Sequence, residues 1–154
     1  MDCPSITDIV LELIPLGNHR VQVLKVYDGD TFWALFDVQG RKIRNKIRLR
    51  NIDTAEVRGK DKEKGKEIRD YVANIILGKN VNIFITGIDP YFRHLAFVYP
   101  DKSDWEASAC IQDYDREYKL IGGVDNNLEL NEYLINKGMA DKKYYKKRTD
   151  LTSK

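Results

Sequence analysis

Five short strands, with one amphipathic helix between the third and the fourth, predict a small α+β protein that is mainly β. The expected architecture is a five-stranded, partly open barrel of the OB type with a short C-terminal helix. Three observations carry this expectation. Residues 43–50 alternate, with Ile43, Asn45, Ile47 and Leu49 on one face and Arg44, Lys46, Arg48 and Arg50 on the other. Ile68, Tyr71, Val72, Ile75 and Ile76 recur at helical spacing, and Gly78 stands where a C-terminal cap belongs. The other strand-like runs are short and end at turn residues, as they must in a small barrel.

The elements follow in order. Residues 21–27 read as a first strand and 31–36 as a second, joined through Asp28, Gly29 and Asp30; Gly40 turns the chain into the third, basic-faced strand. Residues 57–66, charged and containing glycine, read as a mobile loop before the helix. Val81, Ile83 and Ile85 mark a fourth strand, and 95–99, stopped by Pro100, a fifth. Residues 100–127 show no sustained period and several turn signals, so they read as a long excursion. Its apolar residues Trp105, Ile111, Tyr114, Tyr118, Leu120 and Ile121 are candidates to pack, with segment 6–16, against the barrel. Leu130, Tyr133 and Leu134 then suggest a short helix ending at Gly138.

A length of 154 residues with 42% hydrophobic and 32% charged residues fits one globular domain. The expected division is an N-terminal extension (1–20), a single domain (21–145) and a basic tail (146–154). The net charge of +2 is unremarkable, but its placement is not: 41–50 and 142–148 are basic and 105–117 leans acidic. Cys3 and Cys110 form neither a disulfide framework nor a metal-ligand spacing. The opening residues lack a basic n-region and Glu12 interrupts the apolar run, so no secretion signal is expected. No stretch reaches the ~18 apolar residues of a membrane span. The expectation is a cytoplasmic monomer, or a secreted one if a signal has been removed.

Chemistry concentrates on two neighbouring connections. Asp28 and Asp30 stand one glycine apart, although a turn needs only the first Asp-Gly pair. Two such carboxylates repel unless a cation or hydrogen-bond donors lie near. Arg48 is followed by Asp53 and Glu56 where the third strand runs out. Four acids of this kind are hard oxygen donors, suited to Ca²⁺ or Mg²⁺ and not to zinc. The spacing of an EF-hand loop is absent.

Together these motifs resemble the staphylococcal (thermonuclease-type) nuclease family. Asp28-Gly29-Asp30-Thr31 is similar to its D-G-D-T signature, and Arg48 with Asp53-Thr54-Ala55-Glu56 to its R followed by D-T-P-E. Asp89 to Ala96 aligns with D-K-Y-G-R-x-L-A, and Asn131, Leu134, Gly138, Ala140 and Tyr144 with the last motif. The resemblance covers 21–99 and 128–145. It implies Asp30, Asp53 and the Thr54 carbonyl as Ca²⁺ ligands, with Asp28 behind them orienting water on the ion. It implies Glu56 as general base or orienter of the attacking water, and Arg48 and Arg93 as a phosphate clamp. Tyr91 would bond a terminal phosphate, and Tyr144 would pack against a base. The implied reaction is Ca²⁺-dependent hydrolysis of DNA and RNA with little sequence preference, leaving 3′-phosphates.

Departures stand beside the matches. Pro90 replaces a lysine, Phe92 and His94 replace glycines, and the chain carries Lys146 where a second tyrosine is usual. His94 is expected at an exposed strand edge. Two other readings compete: a nuclease-like module that binds nucleic acid without cutting it, and a Ca²⁺-stabilised interaction domain. The retained acids and arginines speak against both.

Overall fold

The computed structural model describes residues 14–121 and 128–143. Strands β1 (Gly17–Asp28), β2 (Thr31–Val38), β3 (Arg41–Leu49), β5 (Asn80–Ile88) and β6 (His94–Tyr99) form a closed barrel in the order β1-β2-β3-β6-β5. A two-stranded ribbon, β4 (Ile52–Asp53) with β7 (Asp141–Lys142), stands beside it. Four helices complete the described residues: α1 (Lys62–Ile76), α2 (Lys102–Ala107), α3 (Tyr114–Ile121) and α4 (Leu130–Asn136). The α+β, OB-type expectation is met. The barrel's shortest seam is parallel, where Ile47 to Leu49 pair with His94 to Ala96.

The period-2 pattern explains the filling. Val21, Val23, Phe32, Ala34, Phe36, Ile47, Val81, Ile83, Ile85, Ala96 and Val98 all point inward and are buried. Register shifts in β1, between Val23 and Lys25 and again between Val26 and Asp28, keep Val26 inside and leave Leu24 and Tyr27 on the outside. Helix α1 lays Ile68, Val72, Ile75 and Ile76 on the core beside β1. Each such burial contributes roughly 1.5–3 kcal/mol relative to exposure. The helix stops at Leu77, and Gly78 follows at φ +76° with its N–H donating to the Val23 carbonyl.

Three expectations need correction. Residues 62–66, taken as loop, are the first turns of α1. Its Gly65 is buried because the helix lies directly on the backbone of Glu56 and Val57, where a Cβ would overlap the Glu56 carbonyl. A composition rule reads glycine and charge as loop and cannot see that contact. The excursion is not irregular throughout: it contains α2 and α3. Trp105, Ile111 and Tyr114 are buried, with Trp105 against Tyr133 at 4.6 Å between ring centroids. Leu120, however, is 69% exposed. The Ile121 side chain and residues 122–127 lie outside the described residues, as does most of segment 6–16, of which Ile14 joins the core. Finally, His94 is fully buried. It shares the inward period of Ala96 and Val98, and the Asn45 amide meets its Nδ1 at 2.8 Å. Burial holds its pKa below the ordinary value.

Among the described residues, no helix is long and apolar enough to cross a membrane.

Candidate active site at the barrel mouth

The β1–β2 connection is only Gly29-Asp30, since Asp28 already pairs with Thr31. Gly29 does not have a positive φ. It is needed for room: a Cβ there would lie 2.5 Å from Ile68 Cγ2 and 2.8 Å from Thr54 Oγ1. Close approach of the three elements presses Asp30 into the interior, where it is 5% exposed. There it is thoroughly held. The Thr31 hydroxyl donates to Oδ1 at 3.0 Å, and the Thr54 N–H donates to Oδ2 at 3.0 Å.

Arg48 joins the two connections. It pairs with Thr31 across β2–β3, and its side chain is 4% exposed. One terminal nitrogen lies 3.1 Å from Asp30 Oδ2 and also donates to the Leu49 carbonyl at 3.2 Å; the other lies 3.1 Å from Asp53 Oδ1. Asn51, at φ +65°, bends the chain out of β3 so that β4 carries Asp53 back to this guanidinium. Asp53 remains 54% exposed on its side chain. Asp30, Arg48, Asp53 and Thr54 are thus brought together from the β1–β2 connection, β3 and the β4 segment.

Asp28 stands against them. Its Oδ1 accepts the Asp30 N–H at 3.1 Å. Burial first, then its hydrogen bond to Asp30 and that neighbour's charge, push the Asp28 carboxyl up to about 7. Burial also acts on Asp30, but the hydrogen bond with Asp28 and the Arg48 charge outweigh it and hold that carboxyl below its ordinary value. Thr54 Oγ1 is buried with no hydrogen-bond partner among the described residues. These acids and the orphaned Thr54 oxygen are donors of the hard kind a divalent cation takes, but among the described residues no group of three or more acids is gathered to hold an ion, and the Arg48 guanidinium lies between Asp30 and Asp53.

Glu56 is exposed and lines an adjacent cleft of about 330 Å³. Asp53, Thr54, Asp61 and Lys64 share the wall with it, and Gly138 to Asp141 face them. Lys64 and Asp61 were not singled out from sequence; their place follows from α1 beginning earlier than its apolar period suggests.

Arg93 sits apart from Arg48, in a turn built by the buried Asp89. Asp89 Oδ1 accepts the N–H groups of Tyr91 and Arg93, and Oδ2 accepts Arg93 Nε at 2.6 Å. The guanidinium lies 5.5 Å from the centre of the Tyr91 ring, which is itself 78% exposed. Anchoring through Nε leaves both terminal nitrogens without a protein partner among the described residues. Phe92 holds φ +64° where the resembling motif has glycine, a strained setting for an aromatic residue. Asp89 and Arg93 stand four apart around a turn, so this pairing was readable from spacing alone. Tyr144 lies outside the described residues.

Barrel and cluster define an OB-type α+β protein with a carboxylate–arginine site at its mouth, and its class is that of the nucleases. The chain belongs to the staphylococcal nuclease family: the family of staphylococcal nuclease homologues matches residues 46–154. It is also similar to a protein of Haemophilus influenzae named an uncharacterized endonuclease, with 29% identity over 131 residues, 85% of this chain and 70% of the relative.

Proposed function

We propose that the protein is a Ca²⁺-dependent phosphodiesterase that hydrolyses DNA and RNA with little sequence preference and leaves 3′-phosphate ends. The observation that carries this reading is Arg48, held between Asp30 and Asp53 with Glu56 on the wall of the adjoining cleft. Asp30, Asp53 and Thr54 would hold the ion, which when bound would supply positive charge opposite a phosphodiester oxygen. Asp28, next to Asp30, orients what gathers at the acids. Glu56 accepts a proton from the attacking water, whose oxygen bonds to phosphorus as the P–O5′ bond breaks, and the departing 5′-oxygen takes a proton from solvent water to leave as a hydroxyl. Arg48 and the free fork of Arg93 stabilise the charge that grows on the phosphorus oxygens. Family membership and the endonuclease name of the Haemophilus influenzae relative support the reading.

Digestion of plasmid DNA and of RNA with Ca²⁺, with Mg²⁺ and with EDTA tests it. Cleavage of both polymers is expected with Ca²⁺, much less with Mg²⁺, which demands a stricter octahedron, and none with EDTA. Asp30→Ala should be inactive with either ion. Equal rates with the two ions would remove the Ca²⁺ assignment. Tight binding without cleavage under every condition would leave a binding module instead.

A further inference from the structure

The outer face of β1, β2 and β3 carries a second feature that begins where the Arg48 cluster ends. Thr31 and Arg48 form one cross-strand row. The next row away from the mouth is Lys25, Trp33 and Lys46, and the row beyond it includes Leu35 and Arg44. Tyr27, pushed out at a β1 register shift, lies beside the middle row. Lys46 Nζ sits 5.6 Å from the centre of the Tyr27 ring and 5.3 Å from that of Trp33. Lys25, Tyr27 and Arg44 are exposed, and Trp33 and Lys46 partly so.

Large aromatic rings placed on a surface among cations need a reason, since burying them in the barrel would stabilise more. Lys46 over the rings makes a cation–π contact worth about 0.5–1 kcal/mol at such an exposed site. That is too little to explain two aromatics left outside a core that accepts Trp105 and Tyr133 entirely. The arrangement matches the needs of a polynucleotide: flat apolar faces for bases, with cations between them for phosphates. Rows on one strand face repeat every ~6.8 Å, comparable to the advance of an extended nucleotide. Lys25, Arg44 and Lys46 give this part of the face a local positive charge although the chain is nearly neutral.

We propose that this face is a stacking platform for a single-stranded stretch of the polynucleotide, running from the Arg48 cluster over Trp33 and Tyr27. A base displaces Lys46 from one ring, and Lys46, Lys25 and Arg44 turn to the phosphates. The occupant is single-stranded because in a duplex each base face is already covered by its stacked neighbours. The inference rests on the nuclease reading for its substrate, but its test does not depend on cleavage.

Trp105 is fully buried and Trp33 is not, so Trp33 is the tryptophan an oligonucleotide can reach. Oligodeoxythymidylate titrated at low salt in EDTA should quench tryptophan fluorescence saturably, and Trp33→Phe should abolish the quenching. Trp33→Ala should weaken binding of a labelled strand, followed by anisotropy, about 5- to 150-fold, the range for one lost stacked base. Lys46→Ala should lower the slope of log affinity against log salt by about 0.7. Melting curves of the variants check that each is folded. An oligodeoxyuridylate and an oligouridylate of equal length are the second arm; quenching by both assigns recognition to base and phosphate, and by one alone adds the sugar. In Ca²⁺, Trp33→Ala should raise KM for an oligonucleotide and leave hydrolysis of a mononucleotide diester unchanged. Loss of diester hydrolysis in every form of the protein would sink the nuclease reading and leave the platform standing on the binding data. Unquenched binding, wild-type affinity in Trp33→Ala, or equal quenching by duplex DNA or polyglutamate would overturn the platform.

Discussion

Gly65→Ala reverses an ordinary expectation. Within a helix, alanine is favoured over glycine by about 0.8–1.0 kcal/mol. Gly65 is the fourth residue of α1, so on propensity alone the change stabilises. The packing says otherwise. The new methyl would overlap the Glu56 carbonyl and lie 2.8 Å from the Val57 nitrogen. Non-bonded atoms settle near ~3.5 Å, so the helix and the 54–57 connection must part by about 1 Å or more. The obstacle is backbone, which has no rotamer to change. Overpacking of this kind costs typically about 1–3 kcal/mol, occasionally more. The net loss should be up to about 2 kcal/mol after the propensity gain, measured as a lower urea midpoint at unchanged m-value. The displaced segment carries Glu56, and a shift of about 1 Å at a reacting group can cost on the order of 10²-fold in rate. Urea melts and single-turnover cleavage on the same preparation read both effects. A variant as stable as wild type would show that α1 does not rest on the Glu56 backbone; full activity in a destabilised variant would show that Glu56 need not be held there.

Three further outcomes follow from the structure. Glu56→Gln should leave binding of metal and strand nearly intact and lower kcat by at least about 10²-fold; a rate within a few-fold of wild type takes Glu56 out of the reaction. Trp105→Ala should cost about 3–5 kcal/mol in chemical denaturation, whereas Leu120→Ala, on the exposed side of the same segment, should stay within about ±0.5 kcal/mol. Similar small losses for both would make 100–121 a flap rather than part of the core. Burial, and secondarily the charge of Glu132, raise the Glu129 carboxyl from 4.5 to about 7. The folded state therefore holds that proton more tightly. This stability is complete below pH ~4.5 and lost as pH rises through about 7. Glu129→Gln should stabilise by about 1–2 kcal/mol at pH 8, allowing for solvent screening, and give no gain at pH 4. A gain that persists in acid would refute the assignment.

Much of the barrel could be read from the chain because each strand has one buried face, and a one-residue slip would expose it. The acids near Arg48 were equally legible, since short connections leave Asp30 and Asp53 few places to go. What escaped notice depends on contacts between distant segments. Helices α2 and α3 are too short to display a helical period, and only packing against Tyr133 shows why Trp105 belongs inside. Gly29 looked like a turn residue and proved to be a spacing residue between Thr54 and Ile68. His94 was misjudged by its type, although its register with Ala96 and Val98 placed it indoors. The Asp89–Arg93 pair is local, four residues apart, and was overlooked although its spacing showed it.

Asn131 gives the fold a sequence in time. Its side-chain amide donates to the carbonyls of Arg50 at 2.9 Å and Ala96 at 3.1 Å, and its oxygen accepts the Val98 N–H at 3.3 Å. One buried side chain stands in for a peptide unit at the short parallel seam between β3 and β6. On a ribosome the chain emerges from its N-terminus, and β6 is made more than thirty residues before Asn131 appears. Until then the β6 groups it serves compete for water or for the strands of a neighbouring chain. The barrel is therefore a structure finished late, its last stitch supplied by a helix that contributes no strand to it.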